Sequence, residues 1–315
     1  MTKIGLIGGG YWGKNYVRTI EKIKGLELSW IYNKHNEPSY AIPKDSRFTK
    51  NYQDILEDNE TKAVIISTPE RTHYKIAKEA LEAGKDVLVE KSMTCSSKDA
   101  LELIEISKKN SRILMVGHIF LYNPGIIELK KRIQNEELGD LFYFYSRRSA
   151  MGPVKQDINV LWYLAPHDIS VINYLTGKLP RTVSAKGACF LNRGIEDVVD
   201  FVLNYENNVR GFVHVSWTEP KKIRETSVIG SKKMAVFDDM TKDKLKVFDS
   251  SNPENFYSPK LENISPLEKQ CIQFLESIRT GKQPLTNGQN GYEVVRILEC
   301  AQKSLETGRE IRIKF

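Results

Sequence analysis

From Lys3 to Ile7 the chain is almost wholly apolar for the length of a strand, and the apolar positions then change period to Tyr16/Val17, Ile20 and Ile23. A short continuous run followed by three-to-four spacing predicts a buried strand, a turn and a helix. The pattern repeats. Leu26–Tyr32 reads as a second strand, a short helix is expected over 52–58, and the run 63–67 is apolar enough to be buried on both faces of a parallel sheet. A helix opens after Thr68-Pro69 and is closed by Gly84. A strand over Asp86–Val89, a helix over 97–110 and a strand over 113–117 complete the series. Strands separated by helices of this length argue a doubly wound parallel sheet over residues 1–120.

Beyond residue 120 the pattern changes. A helix over 124–133 gives way to a strand over 141–149, a polar loop over 151–159 and helical spacing over 166–175. Short β-rich runs follow at 182–191, 198–205, 209–217, 224–229 and 234–238. Glu206-Asn207-Asn208 between two of them is a hairpin signal. Amphipathic helices over 266–280 and 288–307 and a strand over 310–314 close the chain. The region 121–315 is therefore expected to be an α+β domain with a largely antiparallel open sheet, and its last helices are able to pack back on the first domain.

Composition narrows this picture only a little. A chain of 315 residues is long for one domain, so two are expected. The excess of 47 Lys+Arg over 40 Asp+Glu is spread along the sequence, which suits anionic small molecules better than nucleic acid. The four cysteines lack metal-like spacing and read as reduced thiols, so neither a metal site nor a disulfide is expected. With a strand beginning at Lys3 and no apolar run of membrane-spanning length, the expectation is a cytoplasmic protein without membrane contact.

The chemistry begins in the first turn, Gly8-x-Gly10-x-x-Gly13. In a strand–turn–helix, Gly8 permits the bend, Gly10 lets a pyrophosphate approach the backbone and Gly13 lets helix and strand pack closely. The helix N-terminus then holds the anion, which indicates a dinucleotide. Where NAD-preferring sites carry a carboxylate for the ribose, this chain has Asn33 followed by Lys34, which slightly favours NADP over NAD. Ligands of such sheets sit beyond the carboxyl ends of the strands, so Thr68, Glu90-Lys91 and Gly117-His118 should border one cleft. That position makes Lys91 a candidate donor to a substrate oxygen.

The ordered set of motifs resembles the Gfo/Idh/MocA oxidoreductases over essentially the whole chain. The matching pieces are Gly8-x-Gly10-Tyr11-Trp12-Gly13-Lys14-Asn15, Thr68-Pro69-x-x-x-His73, Glu90-Lys91, Gly117-His118, Tyr122-Asn123-Pro124 and Trp162-x-x-Ala165-Pro166-His167-Asp168. The first and last look most like the branch that acts on nucleotide-activated sugars at C3. The resemblance implies a Rossmann domain, an NAD or NADP cofactor, and a second domain whose open sheet makes a homodimer or homotetramer. It places Gly8, Gly10, Tyr11, Trp12, Gly13, Asn33, Lys34, Thr68, Pro69, His73, Glu90 and Lys91 at the cofactor, although His73 and His118 by themselves read as structural. His167 becomes the proton-transferring group and Lys91 the stabiliser of developing negative charge.

Substrate candidates are Lys91, Asn123, Arg148, Trp162, Tyr163 and His167. Arg147-Arg148 and Lys221-Lys222-Arg224 could meet a diphosphate. Asp168, next to His167 but on another helix face, reads as a helix N-terminal acid. Two positions depart from the family pattern. Ser92 stands where the family reads a proline after a cis bond; a non-proline cis bond costs about 3 kcal/mol, so a trans bond and a shifted Lys91 are expected. Tyr163 stands where the family has an acid, and either orients His167, donates a proton itself, or forms a cleft wall. Two other readings stay open: a dehydrogenase of a free polyol such as inositol, and a silent cofactor-sensing protein.

Overall fold

In a computed structural model, the alternating half folds as β1 (Thr2–Ile7), α1 (Gly13–Ile20), β2 (Leu26–Tyr32), β3 (Arg47–Thr49), α2 (Gln53–Glu57) and β4 (Ala63–Ile66). It continues through α3 (His73–Glu82), β5 (Asp86–Val89), α4 (Ser97–Lys109) and β6 (Leu114–Val116). The structure describes residues 1–152, 154–191, 193–252 and 254–315. The six strands form one parallel sheet in the order β3-β2-β1-β4-β5-β6. β4 and β5 are buried along their whole length. Their side chains alternate between two cores: Ile65 and Leu88 join Tyr16 and Val17 on one face, while Val64, Val87 and Val89 join Ala77 and Leu103 on the other. Burial on both faces is what turned these strands into uninterrupted apolar runs.

β3 was not expected, because Arg47-Phe48-Thr49 is too short and too polar to show a period. The remaining elements are α5 (Pro124–Gln134), β7 (Leu141–Ser149), α6 (Val160–Thr176), β8 (Thr182–Ala188), β9 (Val198–Asn204) and β10 (Arg210–Ser216). After them come β11 (Ile223–Gly230), β12 (Lys233–Asp238), β13 (Leu245–Asp249), β14 (Phe256–Tyr257), α7 (Pro266–Thr280), α8 (Gly288–Thr307) and β15 (Ile311–Arg312). Their nine-stranded sheet runs β14-β13-β12-β11-β7-β10-β9-β8-β15, with β7 and β10 parallel and the other described neighbours antiparallel. The hairpin between β9 and β10 turns through Asn207 and Asn208 at φ 55° and 60°, a left-handed pair that asparagine tolerates.

The chain divides into two units, Met1–Tyr122 with Ile264–Val295, and Asn123–Asn263 with Arg296–Phe315. In the first, α7 lies against α1, with Phe274 fully buried in the core that holds Tyr16. Burying such a ring contributes about 1.5–3 kcal/mol. In the second, α6 covers β7, β9 and β10 on one face. The opposite face leaves Tyr143 and Tyr145 exposed, the in-and-out alternation of a sheet covered once.

The start of α6 corrects the sequence reading. Pro166 suggested the first turn of a helix, yet the helix begins at Val160, where the Asn159 side chain accepts from the Trp162 N–H at 3.2 Å. Pro166 therefore sits inside the helix rather than at its first turn. The polar loop expected over 151–159 includes Pro153, which lies outside the described residues.

Candidate active site

The glycine turn of the first unit has three geometries, one per residue. Gly8 has φ +118°, and a Cβ there would lie 2.6 Å from the Ser67 carbonyl carbon. A Cβ on Gly13 would lie 2.1 Å from the Gly8 oxygen. A Cβ on Gly10, by contrast, would meet nothing within 4 Å, so this backbone faces open space. The N-cap of α1, Trp12, makes no side-chain cap, and its first turn carries no acid. Its amides and positive dipole end are thus suited to an outside anion. Asn33, just past β2, turns its amide to the Asn36 carbonyl at 2.9 Å, and Lys34 is exposed beside it.

Trp12 faces inward, not to the cofactor side as the motif implied. Its indole N–H donates to Glu90 Oε1 at 2.6 Å, and the Tyr16 hydroxyl donates to the same oxygen at 2.7 Å. Gln270, from α7, donates to Tyr16 at 3.0 Å. Burial, and then the Glu90 charge, hold the Tyr16 hydroxyl well above its ordinary pKa, so it remains a donor. Glu90 is therefore a rivet between the glycine turn and the end of β5. A Cβ on Gly117 would come 3.0 Å from that carboxylate, which is why the neighbouring strand ends in glycine.

Lys91 follows the rivet. Its Nζ lies 3.9 Å from Glu70, with only 14% of the side chain exposed. The Lys91–Ser92 peptide is cis, against the trans bond expected from serine. His73 holds this segment: its ring nitrogens lie 2.8 Å from the Ser92 and Thr68 carbonyls, and burial keeps its pKa below the ordinary histidine value despite both. Both of its ring nitrogens are thus engaged by backbone rather than left for a ligand. Thr68 is half-buried, Pro69 is exposed, and Tyr11 is 92% exposed. A cavity of about 560 Å³ beside Asp86, Arg112 and Gly288 lies at the amino ends of β5 and β6, away from these residues.

In the second unit, the early start of α6 puts Tyr163 and His167 one turn apart on one face. Trp162 is half-buried in the same first turn. The Tyr163 ring lies 5.7 Å from that of Trp217, and the Lys155 ammonium lies 5.6 Å above it. Asp168 is not a helix-end acid. It is buried in mid-helix, accepting from Ser146 Oγ at 2.7 Å and Arg148 Nε at 2.8 Å.

Arg148 was a substrate candidate, and the structure instead buries it to 5% exposure against Asp168. Asn123 is likewise corrected: it caps α5 through the Gly125 N–H at 3.0 Å and donates to Asp239 at 3.1 Å. Arg147 bonds Glu219 at 2.7 Å, as a strand charge rather than a diphosphate ligand. The register of β7 and β11 sets Arg224 directly opposite Arg148. Like charges so placed repel. Burial first, and then the Arg148 charge, lower the Arg224 pKa, while Arg224 in turn lowers that of Lys222. Asp239, which Arg224 meets at 3.4 Å, is also shared with Lys244 at 2.8 Å.

Among the described residues no cluster of three His, Cys, Asp or Glu could hold a metal ion, and no helix is long and apolar enough to cross a membrane. Sequence reasoning missed Tyr16, Glu70 and Gln270: Tyr16 reads as a core position, and the other two as surface polars.

Two family models match. "Oxidoreductase family, NAD-binding Rossmann fold" covers residues 2–118, and "GFO/IDH/MocA C-terminal domain" covers 126–236. Scyllo-inositol 2-dehydrogenase (NAD(+)) of Bacillus subtilis is 25% identical over 97% of this chain and 93% of its own. A solved structure from Magnetospirillum magnetotacticum, described as an oxidoreductase, is 28% identical, covers 95% of this chain and 99% of that one, and has a TM-score of 0.87. UDP-N-acetylglucosamine 3-dehydrogenase from Acidithiobacillus ferrooxidans is 22% identical over 96% of this chain and 97% of its own, with a TM-score of 0.85, and shows the fold alone.

Proposed function

Since the chain belongs to the Gfo/Idh/MocA family of NAD-binding oxidoreductases, we propose that it interconverts a hydroxyl and a ketone at C3 of a nucleotide-activated sugar. The dinucleotide supplies the hydride acceptor or donor, held by the backbone of Gly8, Gly10 and Gly13 and the N-terminus of α1. NADP is favoured slightly over NAD, because Asn33 brings no carboxylate to repel a 2′-phosphate and Lys34 is exposed next to it.

His167 takes the proton from the reacting hydroxyl, or returns it to the ketone oxygen in reverse. Lys91 stabilises the negative charge that develops on that oxygen. Tyr163, one turn before His167, orients it or passes the proton. This mechanism requires the Lys91 ammonium and the His167 imidazole to reach one oxygen.

The observation that carries the choice of substrate is the part-exposed Arg224 with the exposed Lys222 beside it, close enough for the guanidinium to lower the lysine's pKa. Arg224 meets Asp239, which Lys244 shares. Cationic side chains so placed suit the diphosphate of an activated sugar and give nothing to a neutral polyol. Cofactor absorbance followed with UDP-N-acetylglucosamine and with scyllo-inositol tests the reading. Arg224→Ala is expected to raise KM for the UDP-sugar at least tenfold. Turnover of scyllo-inositol with no response to UDP-sugars would reject this substrate in favour of a polyol, and no turnover of either would favour a cofactor-binding protein without catalysis.

A further inference from the structure

His118 follows β6 directly, one residue beyond the glycine that makes room for Glu90. It is 1% exposed, and neither ring nitrogen has a hydrogen-bond partner among the described residues. The backbone around it is satisfied: its own N–H donates to Val116 at 2.8 Å, and its carbonyl accepts from Leu121 at 3.0 Å. Leaving buried polar atoms unpaired destabilises the fold. A side chain with a purely architectural role would be expected to find partners, as His73 at the start of α3 does with both nitrogens.

The position explains what the ring is held for. In a doubly wound sheet the carboxyl ends of strands such as β5 and β6 are where a bound cofactor is expected, and Lys91 is close enough to act on the ring electrostatically. We propose that His118 is a further binding residue, whose neutral imidazole exchanges hydrogen bonds with an amide or hydroxyl of the bound molecules at the nicotinamide end of the cleft. The inference rests on the oxidoreductase reading but not on the choice of sugar. Two sources present that chemistry, the carboxamide of the nicotinamide and a hydroxyl of the substrate. Burial first, and then the Lys91 charge, bring the pKa of the ring down to about 3. At neutral pH it is therefore both donor and acceptor, which such groups require.

His118→Leu and His118→Gln, compared with wild type, test this. Leucine removes the unpaired polar atoms, so the Tm without ligand is expected to rise, and affinity for NADPH or NADH, whichever wild type binds, or KM for the turned-over substrate to worsen about tenfold or more. Glutamine is expected to recover part of the binding. In the unfolded chain a histidine titrates near pH 6.5, so the folded protein with its neutral ring loses stability as pH falls from there toward 3. The Tm advantage of His118→Leu should therefore widen on acidification.

Loss of affinity for that cofactor assigns the contact to the carboxamide, and loss confined to KM assigns it to the substrate hydroxyl; both support the inference. A His118→Leu protein that is less stable, or that binds that cofactor and substrate as wild type does, overturns it. Because each variant is measured on whichever substrate wild type turns over, an inositol specificity would reject the sugar assignment and leave this result standing.

Discussion

In the first unit the candidate side chains hang from strand ends and are fixed by backbone geometry and one shared carboxylate; in the second they sit on a helix and two strands and are fixed by charge. Glu90 is reached by two neutral donors, Trp12 and Tyr16, so the turn and the strand are joined without a second ion. Asp168 is instead the counter-charge of a buried arginine that itself faces another arginine. Neutral donors around one anion fix position at small cost, whereas stacked like charges store a demand for a further anion. On the function proposed, the first arrangement would seat a cofactor in one pose, and the second a substrate that comes and goes.

Four substitutions sharpen or break this contrast. The largest effect is expected from Lys91→Met, which should lower turnover about 10³-fold while NADH affinity changes little, since the group acts on the reacting oxygen. Steady-state kinetics beside NADH titration would show this, and unchanged turnover would remove Lys91 from the mechanism. Next is Asp168→Asn, which strips the counter-charge from Arg148 and is expected to cost about 3 kcal/mol of stability in urea unfolding. A loss below about 1 kcal/mol would mean that the charges of the second unit are screened by solvent.

The smallest effect comes from the glycine turn. Gly13→Ala forces a Cβ toward the Gly8 oxygen and is expected to cost about 2 kcal/mol. Gly10→Ala, whose Cβ enters open space, should leave Tm unchanged and weaken NADH binding. If both variants behave alike, the turn is a packing feature and not a cofactor seat.

How far the sequence could be read follows the same divide. The buried strands of the first sheet announced themselves because both their faces are covered, so nearly every position had to be apolar, Asp86 at the start of β5 excepted. In the second unit Pro166 misled, since proline is favoured at the first helical position and also resembles a helix start when it lies inside one. The true start depended on Asn159, one polar residue in a polar loop. Once the start moved, Asp168 changed from a helix-end acid into a buried counter-ion, and Arg148 from a ligand contact into its partner.

The sequence alone determined the order of most elements, the parallel sheet and the tight turn of the glycines, because these depend on local period and on the one residue without a side chain. Only the tertiary structure decided which polar groups are spent and which are held in reserve. Tyr16 meets a carboxylate 74 residues away and a glutamine 254 residues away. Arg224 meets Arg148 only through strand register. Hydrogen bonds and charges act over a few ångströms in space, whatever the distance along the chain, and no periodicity records which partner the fold will bring.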